Sequence, residues 1–421
     1  MRFPSYSSEW HSYTLGEILT FYSTNSFSRE KLNYDTGSVK NIHYGDIHTK
    51  FPSIVSVSDN KDIPFINNEI DLSKYSEDQY LQNGDLIIAD ASEDYEDIGK
   101  AIEVKNIDDE KVLAGLHTIL ARDNNNITVN GFKAYLFSTN SLKTKIKIIA
   151  NGISVLGISK NSLSKLTVNV PSKNEQNDVV DFISLIDNKI ELLEQKHQYY
   201  LDFKKFLMQQ IFAQKLRFTD YIEEWKTIKL KDVGEINTGN TPSTKVNEYY
   251  SPKKYLWVTP SDISSKYIFD TAKRLSDEGA KKGRFVKKNS VLVTCIASIG
   301  KNCIILEDGY FNQQINSITP SQSFDLDFIY YLIDYNSEKM KNYAGITATP
   351  ILNKKSFENM KFEFPSFDEQ KQISNMLSNI DNKIFAIEEL INKTQKFKKG
   401  LLQQMFVVQL ILSLLQNKKH I

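Results

Sequence analysis

Residues 171–212 read PSKNEQNDVVDFISLIDNKIELLEQKHQYYLDFKKFLMQQIF, and residues 365–406 read PSFDEQKQISNMLSNIDNKIFAIEELINKTQKFKKGLLQQMF. The two stretches align without a gap at an offset of 194, and 18 of their 42 positions are identical. A repeat of this length decides the architecture, because duplicated segments fold alike. In the first copy apolar or semi-apolar residues fall at Val179, Ile183, Ile186, Ile190, Leu193, His197, Tyr200, Phe203, Leu207 and Ile211. The second copy gives Ile373, Leu377, Ile380, Ile384, Ile387, Ile391, Thr394, Phe397, Leu401 and Met405. These 4-3-4-3 spacings describe a coiled-coil seam, with one irregular 3-3 step at the same place in both copies. Ser172 and Ser366 are expected N-caps, and Glu175 and Glu369 close expected capping boxes. About 40 helical residues span roughly 60 Å. A helix with one narrow seam needs a partner, and the chain carries a second helix with a near-identical seam. An antiparallel intramolecular pair is therefore expected.

Working outward, Arg2-Phe3, Tyr6, Glu9 and Trp10 recur as Arg217-Phe218, Tyr221, Glu224 and Trp225, at an offset of 215. Between these entries and the helices the blocks have diverged. Fragments still recur in order: Ile98-Gly99-Lys100 with Ile299-Gly300-Lys301, then Gly152-Ile153-Ser154 with Gly345-Ile346-Thr347. The expected domains are a variable block at 1–170, a helical segment at 171–215, a second variable block at 216–364, and a second helical segment with its tail at 365–421. Strands are expected at 85–89, 166–170, 291–296 and 303–306, and helices at 132–142 and 328–343. The fold class is α+β.

The chain has 421 residues, with 52 basic and 52 acidic side chains, so its formal charge is zero. That excludes DNA affinity carried by bulk charge, though not by a local face. The first two segments together carry −6 and the last two +6. Basic clusters stand at Lys143, Lys145, Lys147, Lys160 and Lys165, and at Lys273, Arg274, Lys281, Lys282, Arg284, Lys287 and Lys288. Two cysteines, Cys295 and Cys303, cannot form a disulfide framework and lack CxxC spacing, which fits a reducing compartment. No stretch reaches the roughly 18 consecutive apolar residues of a spanning helix, so a cytoplasmic protein is expected.

Enzyme signatures are scarce. The chain has no GxxxxGK[ST] loop, dinucleotide fingerprint, GxSxG or HExxH. His43 and His48 lack a third ligand in sequence. Asp85 or Asp90 followed by Glu103-Val-Lys105 resembles the acidic-pair-plus-Lys set of metal-dependent nucleases, but the second block has no equivalent.

The two RF-x(6)-W entries, the two variable blocks and the two PSxxEQ…IDNKI…FKK…QQ(I/M)F helices together resemble the specificity subunit of a Type I restriction–modification system. The resemblance covers about residues 1–406. It implies two target-recognition domains, each reading half of a split DNA sequence, and two antiparallel helical spacers with pseudo-two-fold symmetry. It implies a non-catalytic chain whose partners are double-stranded DNA, two modification (methyltransferase) subunits, and restriction/translocase subunits. S-adenosylmethionine, ATP and Mg would then act in the partner subunits, with no cofactor or metal in this chain. Expected DNA contacts, chosen by polarity and position, are Lys100, Lys143, Lys145, Lys147, Ser154, Lys160, Lys281, Lys282, Arg284, Lys301, Asn312, Gln313 and Thr347. Expected partner contacts are Asp187, Asn188, Lys189, Asp381, Asn382 and Lys383, two equivalent patches suited to two copies of one partner. The competing readings are a coiled-coil adaptor with two protein-binding domains, and a stand-alone metal-dependent nuclease. The apolar tail after Phe406 departs from the family pattern.

Overall fold

The computed structural model describes residues 2–344 and 350–417, the last eleven of these as backbone only. Two compact units are present. One comprises residues 1–192 with those from Leu390 onward, and the other comprises residues 193–389. Each variable block is thus completed by the start of the long helix that follows it and by the end of the other long helix.

In the first unit a five-stranded sheet runs in the order Thr20–Tyr22, Thr118–Arg122, Leu86–Ala89, Ala101–Lys105, Ile54–Ser56. The second unit repeats that order as Gly234–Thr238, Ile315–Pro320, Ser290–Thr294, Asn302–Ile305, Tyr267–Ile268. In both, the last pair is parallel and the others antiparallel. Successive residues of a strand point to opposite faces. Leu86 and Ile88 accordingly enter one apolar cluster, while Ile87 and Ala89 enter another. Val291 and Val293 are likewise separated from Leu292. Burial on both faces is why these strands appear in sequence as unbroken apolar runs rather than alternating ones.

Each unit adds a smaller four-stranded sheet. Each contains one parallel pair, Lys40–Ile42 with Val112–Ala114 at one end of the first unit's sheet, and Tyr255–Val258 with Gly309–Phe311 at the middle of the second's. The edges differ. The first unit places Leu32–Asn33 beyond Phe65–Ile66, whereas the second places Arg284–Val286 beyond Gly309–Phe311. A two-stranded ribbon joins the two ends of each block: His11–Thr14 with Thr167–Val170, and Lys226–Lys229 with Lys361–Phe364.

The expected helices at 132–142 and 328–343 are each broken. The first is Phe132–Phe137 and then Asn140–Ile149, because Thr139 turns its hydroxyl to the Leu142 amide and starts a new helix. The second is Leu326–Tyr335 and then Ser337–Tyr343.

The long helices span Lys173–Phe212 and Phe367–Asn417. Two expectations about them need correction. First, the seam does not step through Phe203 and Phe397, which are 36% and 58% exposed. Lys204 and Lys398 occupy the seam instead, with side chains only 17% and 19% exposed. With these lysines included, the 4-3 alternation runs unbroken from Val179 to Ile211 and from Ile373 to Met405. A lysine can lay its apolar stem along a seam and keep its ammonium on a carboxylate. Second, the capping boxes are half made. Ser172 and Ser366 accept the amides of Glu175 and Glu369, both at 3.4 Å. The glutamate side chains do not return to the cap residue, because an arginine holds them.

Candidate nucleic-acid interface

That arginine explains the repeated motif at the start of each block. Arg2 donates to both carboxylate oxygens of Glu175 at 2.7 Å, and Trp10 Nε1 donates to Oε1 at 3.2 Å. Arg217 grips Glu369 at 3.0 and 2.8 Å, and Trp225 Nε1 donates at 3.4 Å. The next residue is duplicated too. Gln176 Nε2 donates to the Pro171 carbonyl and its Oε1 accepts the Val129 amide, while Gln370 treats Pro365 and Asp325 the same way. The PSxxEQ signature is therefore the joint between block and helix.

A second joint lies further along. In the first unit Tyr135 donates to Asp187 at 3.0 Å, and Lys398 pairs with that carboxylate while lying over the Tyr135 ring. In the second unit Tyr331 donates to Asp381 at 2.5 Å, Lys204 pairs with it at 2.6 Å, and Lys204 lies 5.2 Å from the ring centre. Burial, then the adjacent carboxylate, push both phenols far above their ordinary range, so each remains a proton donor.

The lysines expected to face DNA divide by unit. In the first, Lys100 donates to the His48 carbonyl, Lys145 to Thr167 O and Lys160 to Tyr22 O. Lys147 pairs with Glu96. Lys143 is half-buried, and burial pushes its ammonium below the usual lysine range. Ser154 is exposed in the loop after Gly152. In the second unit Lys281 pairs with Glu278, while Lys282, Arg284 and Lys301 are exposed. Asn312 is buried and accepts the Gln314 amide, and Gln313 is exposed and accepts from Thr241. Thr347 lies outside the described residues. Among the described residues, Lys282, Arg284, Lys287 and Lys288 make no ion pair.

Sequence inspection missed the aromatic face beside these cations. Phe285 is 46% exposed, and its ring lies 5.9 Å from Tyr310, which lies 5.8 Å from Tyr255. The basic run 281–288 is dominated by charge, and Phe285 at its centre is the signal available in sequence.

A family model for the Type I restriction modification DNA specificity domain matches the chain twice, over residues 7–199 and 222–396. The chain belongs to that family. The specificity subunit of the HindI enzyme of Haemophilus influenzae is 24% identical over 85% of this chain and 90% of its own length. The MjaIX specificity subunit of Methanocaldococcus jannaschii is 30% identical, over 38% of this chain and 39% of its own length. The chain's match thus spans about two fifths of that archaeal relative. The solved S subunit of M. genitalium has the same fold, with a TM-score of 0.57, 14% identity, and coverage of 96% of this chain and 99% of that one.

For a member of the specificity family the nuclease-like set takes a structural meaning. Asp85 is buried in a two-point grip by Arg122 at 2.7 Å. Buried Glu103 accepts from the amides of Gly131 and Ala134 and from Lys133. Among the described residues, no three His, Cys, Asp or Glu side chains are grouped to hold a metal. The IDNKI segments are partly spent as well: Asp187 and Asp381 face intrachain partners, leaving Asn188, Lys189, Asn382 and Lys383 exposed. Among the described residues no helix is long and apolar enough to cross a membrane.

Proposed function

We propose that this member of the specificity family directs a Type I restriction–modification complex to a two-part DNA sequence, each unit reading one part, and performs no catalysis of its own. The observation that carries the reading is the division of labour between shared and unshared residues. The sheet order and both helix joints are duplicated in detail, whereas the loops and the edge of the smaller sheet are not. A scaffold made twice with two different surfaces suits two different half-sites.

The long helices would run antiparallel and fix the separation of the half-sites. In the second unit Lys204 meets Asp381, and in the first Asp187 meets Lys398. The second contact lies 17 residues back along the first helix and 17 forward along the other, which is the signature of antiparallel strands of a coiled coil. The exposed Asn188-Lys189 and Asn382-Lys383 pairs would meet two modification subunits, and restriction/translocase subunits would join that assembly. S-adenosylmethionine, ATP and Mg would act in those partners, in the cytoplasm. Against a stand-alone nuclease stand the engaged carboxylates of Asp85 and Glu103.

The test is DNA binding by the chain assembled with its modification subunits. Selection from a random duplex library is expected to enrich one two-part sequence. That duplex should be bound about a thousandfold or more tightly than a scrambled one, with affinity falling steeply as salt rises. Equal affinity for all duplexes would contradict the reading.

A further inference from the structure

The strand Arg284–Val286 belongs to the second unit alone. It pairs antiparallel with Gly309–Phe311, matching Phe285 to Tyr310, and forms the outer edge of the smaller sheet. In the first unit the equivalent edge, Val112–Ala114, is met by Tyr80 through a single bridge to Leu113. A strand that one unit lacks is not required by the common scaffold, so its chemistry can serve one half-site.

Alternation divides the added strand into two faces. Val286 turns into the apolar core and Arg284, on the same side, stays exposed at the start of the strand, while Phe285 and Tyr310 lie on the outer face with Tyr255. Gly283 makes this face possible, because a Cβ there would stand 2.7 Å from the Tyr310 ring. Exposed Phe285 beside the half-buried rings of Tyr310 and Tyr255 offers an apolar contact surface. The charge around it says which occupant. Residues 273–288 hold seven basic and two acidic side chains. Lys282, Arg284 and Lys287 on the added strand and its flanks are exposed and, among the described residues, carry no carboxylate partner. In the major groove an arginine reads guanine, and an aromatic ring packs on the thymine methyl.

We infer that the edge strand Arg284–Val286, with the outer ring face of Tyr310 beside it, is the element of the second unit that reads its half-site in double-stranded DNA, with Arg284 and Phe285 as specificity-determining residues. This rests on the proposed function and names the reader within it. The experiment maps methylated sites left by the full chain with its modification subunits, comparing wild type with Arg284→Ala and Phe285→Ala. Each variant is expected to relax one or two positions of a single half-site, with discrimination there falling roughly tenfold or more, while the other half-site and the gap stay unchanged. Phe285→Ala removes a ring contact to Tyr310, so exposed Arg284 keeps the test decisive if that variant unfolds, as thermal melting would reveal. An unchanged sequence in Arg284→Ala overturns the inference, and so does equal relaxation of both half-sites or failure to assemble with the modification subunits. A wild-type complex that methylates no defined sequence would instead overturn the underlying function.

Discussion

Replacing Arg217 with Ala is expected to destabilise the second unit by about 3 kcal/mol, the cost of stranding one partner of a buried ion pair. The Glu369 side chain is 2% exposed, and among the described residues its carboxylate without Arg217 keeps only the indole N–H of Trp225 and no positive charge. Trp225 itself lies in the main apolar cluster of that unit, so the loss spreads to the packing between block and helix. At roughly 2–4 °C per kcal/mol for a unit of this size, the melting point should fall by about 6–12 °C. Arg2→Ala should do the same to the first unit, where the Glu175 side chain is 1% exposed. Differential scanning calorimetry of the two variants checks this. A shift under about 2 °C in both would show that the repeated Arg-Glu-Trp joint is incidental.

The seam lysines give the second large effect, and it has a direction that distinguishes two roles. Asp381→Ala leaves the Lys204 ammonium without its carboxylate beside the buried Tyr331 ring, and should cost about 2 kcal/mol, as for a lost charged hydrogen bond. Lys204→Met fills the same seam position with an apolar chain and should be near neutral in stability. A polar residue at a seam position specifies pairing and register at some cost in stability, so the methionine variant should lose uniqueness rather than strength. Urea denaturation of both single variants and the double variant measures the coupling, expected at about 1–3 kcal/mol. Equal losses from Asp381→Ala and Lys204→Met would contradict this assignment.

The helices, the duplication and the joint residues were legible in the sequence because identical residues at fixed offsets mark interactions that must be made twice. Arg2, Trp10 and Glu175 stood out with their copies, although nothing in sequence tied Trp10 to Glu175 across 165 positions. The seam was legible except at Lys204 and Lys398, since a reading by hydrophobicity assigns lysine to the surface and moves the pattern to the neighbouring Phe203 and Phe397. The smaller sheet was invisible for another reason. Its strands are two to four residues long, as in Phe65–Ile66 and Arg284–Val286, too short for a period of two to register.

The candidate contacts were less legible still. Clustering in sequence marks the lysines, yet those of the first unit mostly serve as donors to its own carbonyls, as Lys145 and Lys160 show. Whether a cation is already satisfied is a property of the fold. Arg284 lies on an edge strand, with Lys282, Lys287 and Lys288 on its flanks, whose existence follows from the pairing of Phe285 with Tyr310, a contact between strands 25 residues apart. Charge position in the chain carries no trace of it.

Methylation-site sequencing of a host that expresses this chain with its modification subunits tests the central claim most directly. Two specific half-sequences separated by a fixed non-specific gap are the expected result, with both halves required for modification. A single continuous recognition sequence, or modification independent of sequence, would contradict the assignment of one reader to each unit.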